Sequence, residues 1–174
     1  MSREQGGRKA LRKLLDERFE QLASTSGDWF DLADDLHEAA RILWQTRPFA
    51  DPTPGPVVAP FRHLIALMLA GLALENLLKG RYVVVHGNRP YKTHDLVDLA
   101  AKAGVALDPS ETRLVRRLTQ FVTWSGRYPV PPSPEKNDVI VSSSSDWSDC
   151  DLLYQRLKQL STSSTESGRQ GKRT

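Results

Sequence analysis

The stretch that most constrains the fold is the eleven-residue apolar run LIALMLAGLAL at 64–74. A membrane-spanning helix needs about 20 such residues, and the polar pairs RH and EN bound this run on its two sides. The run is therefore too short for a span and too apolar for a surface helix. It predicts a helix over about 61–85, buried at the centre of a bundle and ended by HGNRP.

Most other segments carry apolar residues at the 3.6-residue spacing of an amphipathic helix. Two such helices precede the central run, one within 1–26 and one over 26–45. Their apolar stripes comprise Leu11, Leu14, Leu15, Phe19 and Leu22 in the first, and Trp29, Leu32, Ala33, Leu36, Ala39, Ala40 and Leu43 in the second. The spaced prolines of RPFADPTPGPVVAP forbid a helix in the next segment, which we interpret as a linker.

Two further helices are predicted by their end signals. We expect a short helix over about 94–103, with Thr93 as its cap and Gly104 just beyond its end. The sequence DPSE at 108–111 then opens a fifth helix. Its aspartate can cap the helix, its proline fits the first helical position, and its glutamate fits the third.

A proline-rich loop over about 127–145 separates the fifth helix from the last, which spans about 146–160. The inward face of that last helix comprises Trp147, Cys150, Leu153, Tyr154, Leu157 and Leu160. The only strand-like stretch, DVIV at 138–141, is too short and isolated to build a sheet. The pattern therefore predicts an all-α bundle of about five to six helices with a proline-rich loop before the last one.

The chain of 174 residues has the length of one domain, which we assign to 1–161. The N-terminal helix within 1–26 can lie at its periphery, and the polar end of the chain predicts a disordered tail over 162–174. The single cysteine excludes an internal disulfide, and the first residues are polar rather than signal-like. We therefore expect a cytoplasmic protein with no membrane association.

Basic charge is concentrated at the two ends of the chain. Residues 1–13 carry five basic and one acidic side chain, and residues 161–174 carry three basic and one acidic, yet the whole chain has a net charge of only +3. The stretch between the ends is therefore net acidic. The pI of about 9.1 reflects the ends, so it gives little support for a nucleic-acid-binding body.

The fifth helix has one arginine-rich side. Arg113, Arg116 and Arg117 share it with Trp124, opposite a buried face of Leu114, Leu118, Phe121, Val122 and Ser125. Arginines could neutralise phosphates while the indole stacks on a base. Alternatively, Trp124 packs against the proline-rich loop or another subunit. The glycine and proline of WSGRYP then end the helix.

Two charged residues, Glu75 and Lys79, lie one turn apart on the central helix. Buried charges need partners, so they either pair with each other and with Arg127, or line a polar pocket. His94 and Asp95 could be a base and its orienting acid, although a Thr-His-Asp helix start is also an ordinary capping pattern. Because the chain has no metal-ligand spacing and no glycine-rich phosphate loop, we expect no metal and no cofactor.

Three elements, in this order, resemble a bacterial branch of the HEPN superfamily. They are ALENLLKGRYVV with Glu75 and Lys79, THDLVDLAAKAGV with His94 and Asp95, and TQFVTWSGRYPVP with Trp124, Arg127 and Tyr128. LADDLHEAARILW also resembles this branch, so the match spans roughly 32–131. The resemblance implies an all-helical domain, often dimeric, linked to RNA or nucleotide chemistry in prokaryotic toxin–antitoxin and defence systems.

Many HEPN proteins are metal-independent ribonucleases, in which an arginine followed closely by a histidine acts on the 2′-hydroxyl and the phosphate. Arg81 with His86 and Arg89 with His94 fit the bare spacing. About one such match is expected by chance, and neither arginine is followed by the usual polar residue. No histidine follows Arg127, which is the better-placed arginine.

Three hypotheses follow. The first is a HEPN-like binding or dimerisation module, whose partners are RNA or a nucleotide and a second copy or another protein. Its site would comprise Glu75, Lys79, His94, Asp95 and Arg127, with binding contributions from Arg113, Arg116, Arg117, Trp124 and Tyr128. The second is a ribonuclease using His94 with Arg127 or Arg89. The third is a structural subunit that binds another protein through Trp124 and the basic ends.

Overall fold

The computed structural model describes residues 2–46, 61–125 and 145–170. The helices are α1 (Ser2–Ala23), α2 (Ser26–Gln45), α3 (Phe61–His86), α4 (Leu96–Lys102), α5 (Pro109–Gln120) and α6 (Asp146–Gln170). A π-helical turn, Phe121–Ser125, continues α5. No strand occurs within these described ranges, so the predicted all-α bundle is confirmed.

Helix α3 lies at the centre of the bundle, as its uniform apolarity predicts. It packs against α2, α4, α5, α6 and the π-helical turn. The largest buried side chains on α3 and on the elements packed against it include Leu67, Leu74, Leu77, Leu78, Leu96, Leu99, Leu118, Phe121, Tyr154 and Leu157. Arg62–His86 is long and apolar enough to cross a membrane, but 67% of its most apolar window is buried in the bundle. That is the pattern of a core helix in a soluble protein.

Local sequence sets the start of α5. The side chain of Asp108 accepts hydrogen bonds from the amides of Ser110 and Glu111, while the Glu111 side chain accepts one from the Asp108 amide. The proline between them stands at the first helical position. The predicted capping box is therefore confirmed, and it satisfies amides that no earlier turn could reach.

The two ends of α4 differ in how well they were predicted. Gly104 follows the helix with a φ of 68°, as expected for a glycine that ends a helix in the left-handed region. The predicted cap, Thr93, is wrong. Asp95 caps α4 by accepting from the amides of Val97 and Asp98, and the Thr93 hydroxyl instead accepts from the Asp95 amide.

The two ends of the chain compare differently with expectation. Helix α6 continues to Gln170, so 162–170 are helical where composition predicts a disordered tail. The packed first turns of α6 form the costly helix nucleus, and a polar sequence can then extend it. Helix α1 lies at the periphery as expected, with its apolar stripe exposed. The predicted linker at 47–60, the DVIV stretch and the loop over 127–144 lie outside the described residues.

Candidate functional site

Glu75 is the centre of a polar cluster on α3. Its side chain is 4% exposed, and it accepts a hydrogen bond from Lys79 Nζ at 2.5 Å. The four-residue spacing places both side chains on one face of the helix. His94, just before α4, approaches the same carboxylate with Nδ1 3.1 Å from each oxygen. Three of the predicted site residues are therefore in direct contact.

Among the described residues, His94 is held through one of its ring nitrogens, Nδ1. Because the carboxylate oxygens accept, Nδ1 carries a hydrogen, and Nε2 makes no hydrogen bond to another described residue. The side chain is 60% exposed, so Nε2 can reach a bound molecule. An imidazole oriented by a carboxylate suits general acid–base chemistry or, once protonated, contact with a phosphate.

The remaining members of the predicted polar site do not join this cluster among the described residues. Asp95 caps α4, and its Oδ1 accepts from two backbone amides at 2.9 and 3.1 Å. Its position thus matches the capping alternative. Arg127 and Tyr128 lie outside the described residues, as does the side chain of Trp124.

The arginine side of α5 is divided between solvent and an ion pair. Arg113 and Arg116 are exposed, as the helical projection predicts. Arg117 instead pairs with Asp146, a buried carboxylate at the start of α6. An arginine that neutralises a buried carboxylate joins α5 to α6 and is less available to an external anion.

A groove of about 560 Å³ opens beside Lys79, within the size range of small-molecule sites. Its walls come from the end of α1, the start of α2 and the segment after α3. The apolar walls comprise Phe19, Leu22, Ala23, Trp29, Leu32, Pro90 and Tyr91, and the charged rim comprises Asp28, Lys79, Arg89 and Lys92. The arginines of α5 do not line it. Sequence periodicity could not reveal this groove, because its walls come from three separate segments.

Lys79 connects the groove to the Glu75 cluster. Its Nζ lies 5.5 Å from the centroid of the Trp29 ring, a cation–π distance, while it also donates to Glu75. One ammonium group therefore faces both a buried carboxylate and an aromatic wall of the groove.

The other two cations of the rim are held differently. Arg89 Nη1 donates to Glu20 of α1 at 3.0 Å, and its guanidinium lies 5.3 Å from the centroid of the Phe19 ring. Lys92 is exposed and makes no ion pair with another described residue. No hydrogen bond or ion pair joins Arg89 to His94 within the described part of the chain. The bare motif spacing thus does not produce a paired arginine and histidine here.

The second spacing match, Arg81 with His86, has a structural role. Arg81 donates to the carbonyls of Ala103 and Leu160, and His86 Nε2 lies 2.9 Å from the Lys102 carbonyl. These contacts join the end of α3 to α4 and α6. Both side chains therefore stabilise helix packing.

Sequence reasoning missed a second polar cluster, between α2 and α6. The Tyr154 hydroxyl donates to Asp34 Oδ1 at 2.6 Å, and Lys158 Nζ lies 2.7 and 2.9 Å from the two Asp34 oxygens. Partial burial acts to raise the pKa of Asp34, but the hydrogen bonds from Lys158 and Tyr154 outweigh it and lower that pKa. Burial and the bond to Asp34 raise the pKa of Tyr154.

His37 is a further buried member of this second cluster. It stacks on Tyr154, with ring centroids 4.0 Å apart and 6° between planes, and on Trp147 at 5.2 Å. Its Nε2 lies 3.0 Å from Asp151 Oδ1 but not in a direction that makes a hydrogen bond. Burial lowers the pKa of His37, although the Asp151 charge opposes the change.

No protein-family model, curated protein or solved structure matches the chain. Across 2–46, 61–125 and 145–170, no group of three or more His, Cys, Asp or Glu side chains is arranged to hold a metal ion. The functional assignment therefore depends on the Glu75 cluster and the groove.

Proposed function

We propose that the protein is a HEPN-like helical binding module that takes single-stranded RNA or a nucleotide in the groove. One observation carries the proposal: aromatic walls stand beside a charged rim in which three cations, Lys79, Arg89 and Lys92, outnumber one carboxylate, Asp28. Bases stack on aromatic rings while phosphates pair with lysine and arginine, so this combination suits single-stranded nucleic acid. A bacterial defence or toxin–antitoxin setting is proposed from the sequence resemblance alone, and a cytoplasmic location from the single cysteine and the polar first residues.

The segment after α3 supports the same proposal. Tyr91 is half exposed at the groove wall, and Lys102 Nζ lies 4.3 Å from the centroid of its ring. A fourth cation, which also pairs with Asp98 at 2.6 Å, therefore lies near the aromatic surface. Positive charge around a ring that can stack on a base favours an anionic aromatic ligand over a neutral apolar one.

Fluorescence anisotropy tests this proposal, with a labelled single-stranded RNA oligonucleotide and a labelled mononucleotide as probes. We expect Tyr91→Ala and Lys92→Glu each to weaken binding about tenfold or more, since losing one stacked base costs about 1–3 kcal/mol. Arg116→Glu is the matched control. This substitution also reverses an exposed positive charge, but on α5 outside the groove, so the variant should retain most of the affinity.

The possible outcomes are distinct. Affinity lost in Arg116→Glu but kept in Lys92→Glu would move the site to the arginine side of α5. Folded wild-type protein that binds neither probe would refute nucleotide and RNA binding altogether. Binding of the oligonucleotide alone would identify the polymer as the ligand, and binding of both would point to the nucleotide unit.

A second candidate function is metal-independent ribonuclease activity. The observation that favours it is the orientation of His94, whose Nδ1 is held by buried Glu75 while Nε2 makes no hydrogen bond to another described residue. RNA cleavage in the presence of a chelator tests it, comparing wild type with His94→Ala and Arg127→Ala. His86→Ala is the control, because that ring contacts a backbone carbonyl instead. Cleavage lost only in the first two variants would support a nuclease, and an inactive wild type would leave His94 in a binding role.

The third hypothesis, a structural subunit that binds another protein through Trp124, stays a prediction. The side chain of Trp124 lies outside the described residues.

A further inference from the structure

Helix α1 presents an uncovered apolar stripe. Its members are Leu11, Leu14, Leu15, Phe19 and Leu22, each between 51% and 63% exposed. Within the described part of the chain, they account for five of the twelve large apolar side chains that are exposed. Fully burying one such side chain stabilises a protein by about 1.5–3 kcal/mol, so a contiguous stripe of this kind indicates a binding partner.

The described part of the bundle does not cover this stripe. Helix α1 has 22 residues and is therefore about 33 Å long. Its described contacts to other elements are at its C-terminal end, where Trp29 Nε1 donates to the Ala23 carbonyl and Arg89 pairs with Glu20. Side chains from 7 to 22 are all exposed. Because an isolated helix is marginal in water, α1 gains most from a partner along its free length.

The charges of α1 identify that partner. Residues 2–13 carry five basic side chains and one acidic one, whereas 14–23 carry three acidic side chains and one basic one. Two copies in parallel would align like charges. Two antiparallel copies would place the basic half of each helix beside the acidic half of the other, at separations below the Debye length of about 8 Å.

The start of α2 extends this complementarity. It follows α1 after a two-residue connection and carries Asp28, Asp31 and Asp35, all exposed. In an antiparallel pair, the basic first turns of one α1 would lie near the end of the other α1, where α2 begins. An anionic membrane fits less well, because it would repel the acidic half of α1 and the start of α2.

We propose that α1 pairs with α1 of a second copy of this chain, in antiparallel orientation, with the leucine stripe as the seam of a homodimer. Phe19 and Leu22 also line the groove, but Leu11, Leu14 and Leu15 lie outside it. The dimer therefore does not depend on the proposed ligand, and its test needs none.

Light scattering coupled to size exclusion, with sedimentation equilibrium, tests the seam on the full chain. We expect a wild-type dimer and a monomeric Leu11→Glu/Leu15→Glu variant. The bundle of α2 to α6 should still unfold in one cooperative transition, since neither side chain is in the core, while α1 without its partner should lose part of its helix content. Leu152→Glu, at a site 70% exposed on α6, is the matched control and should still dimerise.

Charge reversal tests the orientation. Reversing the basic half with Arg8→Glu/Lys9→Glu/Arg12→Glu/Lys13→Glu should weaken the dimer about tenfold or more, because acidic halves would then meet. Adding Asp16→Lys/Glu17→Lys should restore it, since the two halves again have opposite signs. A parallel dimer would gain nothing from the second pair of changes.

Two results would overturn the proposal. One is a dimer that survives Leu11→Glu/Leu15→Glu, because its seam would then lie elsewhere. The other is a wild type that stays monomeric at the highest soluble concentration. If that monomer co-sediments with anionic phospholipid vesicles, α1 is a membrane-surface helix instead.

Discussion

Two histidine–carboxylate pairs in this molecule have opposite arrangements. In the pair of Glu75 and His94, the carboxylate is 4% exposed and the imidazole 60%. In the pair of His37 and Asp151, the imidazole is 11% exposed and the carboxylate 41%. A buried carboxylate orients an exposed ring toward a ligand, whereas a ring stacked among aromatic side chains has no path to one. Position, rather than residue type, separates the candidate site from the packing contact.

Burial also has different energetic consequences in the two pairs. Glu75 is a buried charge that needs Lys79 and His94 to offset the loss of hydration. His37 can be buried as a neutral aromatic ring, stabilised by stacking on Tyr154. Removing one charged partner should therefore lower the free energy of unfolding more at the α3 cluster than at the α2–α6 cluster.

The largest effect is expected from Glu75→Gln. It should lower the free energy of unfolding by about 3 kcal/mol, because breaking a buried ion pair leaves the Lys79 ammonium without its anion. Urea denaturation followed by circular dichroism measures the change. Asp151→Asn at the more exposed pair should cost about 0.5 kcal/mol or less. Equal losses of unfolding free energy in the two variants would refute the view that the buried carboxylate depends more on its partners than the buried imidazole does.

The pH dependence of stability tests the buried ring of the second pair. The pKa of His37 is lowered in the folded protein, so the unfolded chain takes up the proton first as pH falls below about 6.5. Above that pH, the free energy of unfolding keeps its full contribution from neutral His37. Below it, this free energy falls with pH, with a slope of at most about 1.4 kcal/mol per pH unit.

Thermal or urea unfolding between pH 8 and pH 5 measures this slope, and His37→Phe serves as the reference because it keeps an aromatic ring. The part of the pH slope of stability that is lost in His37→Phe is due to His37. A wild-type slope unchanged by the substitution would assign the acid sensitivity to other groups.

A smaller effect is expected from Tyr154→Phe, which removes the hydroxyl that donates to Asp34. We expect a loss of about 1 kcal/mol, the usual net value of one hydrogen bond, since Asp34 is partly solvated and keeps Lys158. Tyr82→Phe is the control, because the Tyr82 hydroxyl makes no hydrogen bond to another described residue. A loss as large as that of Glu75→Gln would show that the second cluster is equally dependent on its buried polar contact.

The parts of the fold that were predicted are those that local sequence determines. The bounds of α2 and the capping box of α5 match expectation, because apolar period and capping act over a few residues. The central place of α3 follows from an apolar run too short for a membrane. By contrast, a cap can be supplied by either of two neighbouring polar residues, and the choice of Asp95 over Thr93 depends on backbone geometry that the pattern does not specify.

The candidate site was predicted in part. Glu75 and Lys79 are one turn apart, so their pairing follows from sequence, and the resemblance placed His94 with them. The contact between Asp34 and Tyr154 spans 120 positions of the chain, and no local pattern encodes it. His37 left a readable signal, because it shares a helix face with Ala33 and Ala40, which are both buried.

Cys150 is the only cysteine of the chain, and it is buried in the core, where the low polarity raises the pKa of its thiol. Because the thiolate is the reactive form, the folded protein should resist oxidants and alkylating reagents. A cysteine introduced on the surface would then be the single labelling position. Conversely, reaction of Cys150 itself would report the opening of the bundle, so the native chain contains its own chemical probe of unfolding.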